Sequence, residues 1–298
     1  MQLSIFPLVL FFFCLAGNIP TDSTDTWLSR YFLHPEKVKS FKLAEDLNEI
    51  SGLAVSADGR LFGHDDERSV IYQINPKNGK IIKKFIVGKN KGLKEDFEGL
   101  CIANDKFYLV TSNGNIYQFS EGRDDENVRY EKYKTWMTSK FNVEGLCYDP
   151  STRSLLLACK GVAGEGYKNM RAVYPFSLDS MALGLHPRFS LSIDQITQKL
   201  PQSVSQKIGE FFLLVEPKSF APSGIERHPE SGNYFILSAR SRILIEITAE
   251  GHLLDVVQLD VKIHQQAEGL TFLPDNTMVI SDEATEGKAR ITFYPPAK

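Results

Sequence analysis

Apolar and polar residues alternate along most of this chain in short runs, separated by turn dipeptides rather than by helical stretches. The pattern is clearest after Gly52. A strand runs to residue 56, an Asp58-Gly59 turn follows, then strands over 60–63 and 70–74, a turn at Asn78-Gly79, and a strand over 81–87. This predicts four strands in a meander. The same succession returns after Gly224 with strands over 234–237, 243–247 and 252–259, and after Gly99 with strands over 107–110 and 115–119. A last unit from Ala267 has room for three strands only, over 269–272, 278–280 and 290–294. Its fourth strand must come from elsewhere, and residues 38–43, ahead of the first unit, alternate loosely enough to supply it.

Each unit opens on a related phrase. Ile50-Ser51-Gly52-Leu53, Phe97-Glu98-Gly99-Leu100, Val143-Glu144-Gly145-Leu146, Pro222-Ser223-Gly224-Ile225 and Ala267-Glu268-Gly269-Leu270 place their glycines 47, 46, 79 and 45 residues apart. A unit of about 45 residues with four short strands has the size of a propeller blade. The fold expected is therefore all-β, a five-bladed β-propeller whose ring is closed by the N-terminal strand, with a short helical insertion in blade 3. That insertion explains the long interval. Ile193, Ile196 and Leu200, then Val204, Ile208 and Phe211, recur at helical spacing on either side of Pro201, which predicts a helical hairpin. Emerging beside the opening phrases, it is a candidate lid, with a passive packed hairpin as the alternative.

Composition adds a compartment. Residues 3–16 are almost wholly apolar and a polar stretch follows, so residues 1–16 read as a signal peptide, 17–36 as a linker and 37–298 as the propeller domain. Cys14 offers a lipoprotein signal as the alternative, with membrane association through the N-terminus. Either way the protein is expected to be exported, to the periplasm or cell envelope. Cys101, Cys147 and Cys159 remain after cleavage, an odd number that reads as buried small side chains. With 34 basic against 37 acidic residues and no long run of one sign, the chain lacks the positive field that nucleic-acid binding needs. The charge cluster Arg123 to Glu126 reads as a solvated turn.

In a meander blade the innermost strand starts on the face where the second strand ends, so two sets of residues meet at one mouth. The first is Ser51, Glu98, Glu144, Ser223 and Glu268, with Glu49, Asp96, Asn142 and Gln266 two positions earlier. The second lies in the loops after the second strands: His64-Asp65-Asp66, Asn113, Lys160, Arg240 and Asp282-Glu283. Three glutamates around a narrow axis repel one another unless a cation offsets them. A hard divalent ion held by Glu98, Glu144, Glu268, Ser51 and Ser223 is the simplest remedy, and calcium suits such oxygens better than magnesium. Pairing of the glutamates with Lys160 or Arg240 is the competing arrangement. His64 and His264 fall on the same face and are the candidate general bases. Signatures of zinc hydrolases, serine hydrolases and nucleotide-binding loops are missing.

The repeated phrases, together with Ser238-Ala239-Arg240-Ser241-Arg242 and Ile280-Ser281-Asp282-Glu283, resemble the SdiA-regulated family of bacterial envelope proteins, relatives of the NHL-repeat propellers. The resemblance covers about residues 37–298 and implies a five-bladed propeller with bound calcium. The glycine-rich stretch after Lys160 departs from it. The function expected is a calcium-binding module of the envelope, acting on a small molecule or an envelope protein as binding or scaffold partner. The alternative is a calcium-dependent hydrolase of phosphoesters or lactones.

Overall fold

The computed structural model describes residues 26–34, 38–200, 220–285 and 287–297. The expected signal segment, part of the expected linker and residues 201–219 of the expected hairpin lie outside the described residues. Strand β1 (Lys39–Lys42) precedes blade 1, which is β2 (Ile50–Val55), β3 (Leu61–Asp65), β4 (Val70–Ile74) and β5 (Ile81–Val87). Blade 2 is β6 (Phe97–Ala103), β7 (Lys106–Thr111), β8 (Ile116–Phe119) and, after the short β9 (Asn127–Val128), β10 (Tyr130–Tyr133). Blade 3 is β11 (Val143–Asp149), β12 (Ser154–Cys159) and β13 (Met170–Ser177), with β14 (Ala182–Leu183) and β15 (Phe189–Ser192) sharing the outer edge of β13. Helix α1 (Ile193–Lys199) follows. Blade 4 is β16 (Gly224–Arg227), β17 (Tyr234–Ser238), β18 (Ile243–Ile247) and β19 (Leu253–Gln258). Blade 5 is β20 (Ala267–Phe272), β21 (Met278–Asp282) and β22 (Arg290–Tyr294).

The innermost strands β2, β6, β11, β16 and β20 neighbour one another in a closed cycle, so the protein is a five-bladed β-propeller. β1 closes it, pairing antiparallel with β22 from Lys39 opposite Phe293 to Lys42 opposite Arg290. Closure leaves blade 5 without the bare edge that a three-stranded sheet would expose. A further segment straps the same region: Leu28 and Tyr31 are buried against blades 4 and 5, and the Leu28 amide donates to the buried Glu246 carboxyl at 2.7 Å. Among the described residues no helix is long and apolar enough to cross a membrane.

The core is divided among the seams between successive blades. Phe62 and Phe85 of blade 1 meet Phe107 of blade 2 edge to face, at centroid distances of 5.0 and 5.7 Å. Blade 3 meets blade 4 through Leu156, Val173, Ile236 and Ile245, and Ile196 and Leu200 join that same cluster. The described half of the hairpin is therefore part of the core, not a lid. Helical spacing shows which face of a helix is apolar but not what covers it, which is why the sequence left this open.

At the waist of the ring the backbones nearly touch. A Cβ built on Gly52 would lie 2.7 Å from the Leu100 nitrogen, and one on Gly224 would lie 2.7 Å from the Glu268 carbonyl. The recurring glycine is the residue that lets five inner strands converge. Gly224→Ala is accordingly expected to cost about 1–3 kcal/mol by forcing blades 4 and 5 apart, read as a lowered melting temperature in calorimetry. An unchanged melting temperature would show that the waist is slack.

Two surface segments are tied down. The Arg123–Glu126 cluster is a latch between blades as well as a turn: Asp125 donates its amide to the Lys84 carbonyl at 2.7 Å, the Ile86 amide donates to the Glu126 carbonyl at 2.8 Å, and β9 runs parallel to β5. In the glycine-rich loop after Lys160, Tyr174 Oη donates to the Ala163 carbonyl at 2.9 Å, which anchors the loop. Cys101, Cys147 and Cys159 are free and buried, as expected.

Candidate cation site at the propeller mouth

Local strand geometry aims the glutamates. In blades 2, 3 and 5 the pairing register slips at the opening phrase: Phe97 pairs with Thr111 but Gly99 with Val110, and Val143 and Gly145 and Ala267 and Gly269 behave alike. Glu98, Glu144 and Glu268 are thus each the extra residue of a β-bulge, a device that turns a side chain out of the regular alternation. All three line a constriction on the ring axis with Ser51, Ser223 and the five glycines, and its free volume of about 10 Å³ has room for roughly one water-sized particle.

Within that constriction the glutamates have a protein cation. Lys160 Nζ lies 3.0 Å from Glu144 Oε1, which also accepts from Asn142 Nδ2 at 2.7 Å. Burial works against the Lys160 ammonium, and the carboxylates of Glu144, Glu268 and Glu98 outweigh it, holding the group above the usual lysine range. One lysine does not neutralise three carboxyls. Burial, then Glu144, pushes Glu268 up to about 8. Burial with the Glu144 and Asp96 charges raises Glu98 well above the ordinary carboxylate range, and burial raises Glu144 despite Lys160. The two serines are already engaged. Ser51 Oγ donates to the Glu98 carbonyl of the next blade at 3.0 Å, and Ser223 Oγ donates to the Ala267 carbonyl at 2.8 Å, so where the glutamate is missing the hydroxyl staples neighbouring blades.

Beside this axis, at the seam of blades 1 and 5, Glu49, Asp66 and Glu283 bring one carboxylate oxygen each within 4.8 Å of one another. Burial raises Asp66 to about 6, with Asp65 and Glu49 adding to it, and burial with Glu49 raises Glu283. Asp65 is also raised to about 6, chiefly by burial. Asp66 Oδ1 is buried and has no hydrogen-bond partner, and neither has Asp282 Oδ1. The sequence placed Glu49, Asp66 and Glu283 on this face without seeing that they converge. Their convergence depends on ring closure, which brings the ends of the chain together. Of the remaining mouth positions, Asn113 is tied into its own turn, accepting from Thr111 Oγ1 and Asn115 Nδ2, and Arg240 is exposed.

Both candidate histidines are buried. His264 Nδ1 sits 2.7 Å from Asp282 Oδ2 and Nε2 sits 2.6 Å from Tyr294 Oη, so both ring nitrogens are used inside blade 5. His64 contacts the Asp65 carbonyl through Nδ1, and burial lowers its pKa to about 4, leaving a neutral ring beneath Gly52. Neither ring presents a free nitrogen to solvent, which a base acting on bound substrate requires.

No family model matches the chain, and no curated protein matches it in sequence. Solved structures do match. The glutaminyl cyclase of Myxococcus xanthus superposes with a TM-score of 0.55 at 16% identity, over 86% of this chain and 93% of that one. A luciferin-regenerating enzyme gives a TM-score of 0.51 at 10% identity, over 87% and 95% of the two chains. The PQQ-bound aldose sugar dehydrogenase of Streptomyces coelicolor gives 0.50 at 12% identity, over 88% and 99%. Each of these is an enzyme, and at such identities the likeness establishes the fold. Fold and site together define a β-propeller with an acidic mouth.

Proposed function

We propose that this chain is a calcium-binding propeller of the SdiA-regulated kind, exported to the cell envelope, where it serves as a binding or scaffold module for a small molecule or envelope protein. The observation that carries the metal reading is the convergence of Glu49, Asp66 and Glu283, one of whose buried oxygens has no partner. Hard cations take such oxygens in flexible geometry, and calcium does so more readily than magnesium. This rim set is the better-placed ligand group, because Lys160 already compensates part of the charge on the axial glutamates. The axial carboxyls add to the field that draws the ion in.

Calcium added to the metal-free protein is expected to raise its melting temperature, by about 2.7 kcal/mol of stability at a hundredfold excess over Kd. Isothermal titration should find about one ion per chain. The triple variant Glu49→Gln, Asp66→Asn, Glu283→Gln should lose the gain. A melting temperature indifferent to both calcium and chelator would refute the site.

A hydrolase is the second reading, and Asp65 and Asp66, held at about 6, are what favours it: a carboxylate there can act as base near neutral pH where the histidines cannot. Phosphoester or lactone turnover that stops on chelation would establish it.

A further inference from the structure

The channel has a second mouth, on the face where the inner strands end. A cavity of about 240 Å³ opens there, lined by residues of all five inner strands and by the β20–β21 turn. Counting two positions on from each waist glycine gives Ala54, Cys101, Cys147, Glu226 and Thr271. Four of these are small and uncharged, and the fifth is a glutamate.

Glu226 accepts from its neighbour's amide, Arg227 N, at 2.8 Å and from Thr271 Oγ1 at a long 3.4 Å. No salt bridge to its carboxyl is present among the described residues. The adjacent guanidinium turns away, with Arg227 Nε 3.6 Å from Asp149. Arg227 and Thr271 share the cavity lining with Glu226, and the rest of the wall is largely apolar, formed by Val55, Ile102, Tyr148, Phe272 and Pro274. The waist, with room for about one water-sized particle, separates this cavity from the acidic mouth. A ligand here cannot be the one held by calcium.

We infer that the second mouth is a binding site for a small alkylammonium compound, whose cationic nitrogen pairs with the Glu226 carboxylate while its alkyl chain lies on the apolar wall. An organic cation supplies a direct ion pair for the carboxyl, which Arg227, engaged with Asp149, does not make, and the largely apolar wall selects against a hydrated inorganic ion. The volume limits the ligand to a few heavy atoms within the cavity.

Without a ligand, burial raises Glu226 to about 8, so a proton competes with the amine near neutrality. An alkylammonium, with a pKa near that of lysine at about 10.4, stays charged throughout. The site should therefore bind tighter as pH rises towards 8.5, and binding should release a proton.

The test is calorimetric titration of the mature protein with n-butylammonium at pH 6.5 and 8.5, with n-butanol as the uncharged probe. Affinity about tenfold or more higher at pH 8.5 is expected, because the carboxyl is largely protonated at the lower pH. Glu226→Gln should abolish binding, and so should Ala54→Leu, which fills the vestibule but keeps the carboxyl. Chelation of calcium should leave the affinity unchanged. The inference fails if n-butylammonium does not bind at pH 8.5, if binding survives Glu226→Gln, or if n-butanol binds equally well.

Discussion

Removal of residues 19–43 is expected to leave a chain that no longer melts cooperatively. The deletion takes away β1 and so bares the whole length of β22, the outer strand of blade 5 that remains. It also removes Leu28, Tyr31 and Leu43, all at least 95% buried. At about 2 kcal/mol for each large apolar side chain withdrawn from the core, the loss approaches roughly 6 kcal/mol, comparable with the whole stability of an ordinary domain. Polar contacts go with it. Ser231 donates its amide to His228 Nδ1 at 3.1 Å, which leaves Nε2 as the protonated nitrogen of the neutral ring, facing Tyr31 Oη at 3.1 Å. Tyr31 Oη in turn donates to the Asn276 carbonyl at 2.8 Å, so without Tyr31 the buried Nε2–H of His228 is left without a partner. A shorter deletion, residues 19–34, keeps β1 and should lower the melting temperature without abolishing the transition. Thermal unfolding followed by circular dichroism separates the cases. A 19–43 truncation that melts like the untruncated protein would show that closure contributes little.

The ring closure was legible because strands can be counted: a unit with room for three strands in a fold of four-stranded blades demands a donor, and residues 38–43 alternate as a strand should. The waist was legible for a related reason. Close approach of five backbones allows only glycine, so one geometric demand writes the same residue at Gly52, Gly99, Gly145, Gly224 and Gly269. The direction of Glu98, Glu144 and Glu268 towards one mouth followed from strand order. Their partners did not. Lys160 was visible at the mouth, but whether it reaches Glu144 turns on ångströms that spacing does not encode. His64 and His264 were read as mouth residues from their places at strand ends, yet side-chain rotamers carry both inward. Glu226 drew no notice, because one glutamate after an opening phrase has no signature until the other four blades are laid beside it.

The metal-free protein should become less stable as pH rises from about 6.5 to 8.5, and calcium should flatten that slope. Glu268 and Glu226 are each raised to about 8 by burial, and Glu98 and Glu283 are raised in the same way. In the unfolded chain these carboxyls titrate near 4.3. Between the two values the folded state binds more protons than the unfolded state, so stability falls with pH. Below about 6.5 the buried His64 and His228, both lowered to about 4, work in the opposite direction. Above about 8.5 buried cysteines begin to contribute, which leaves the stated window to the glutamates. Each fully unequal carboxyl changes stability by about 1.4 kcal/mol per pH unit, so a single group raised to about 8 should cost roughly 2 kcal/mol across the window and the set together on the order of 6 kcal/mol. Bound calcium stabilises the ionised form of the mouth carboxyls, so its stabilising effect must grow over the same range. The measurement is the melting temperature against pH in chelator and in excess calcium. A flat or rising curve in chelator would mean that the mouth carboxyls are ionised and compensated by the protein alone, and the electrostatic case for a bound cation would fall with it.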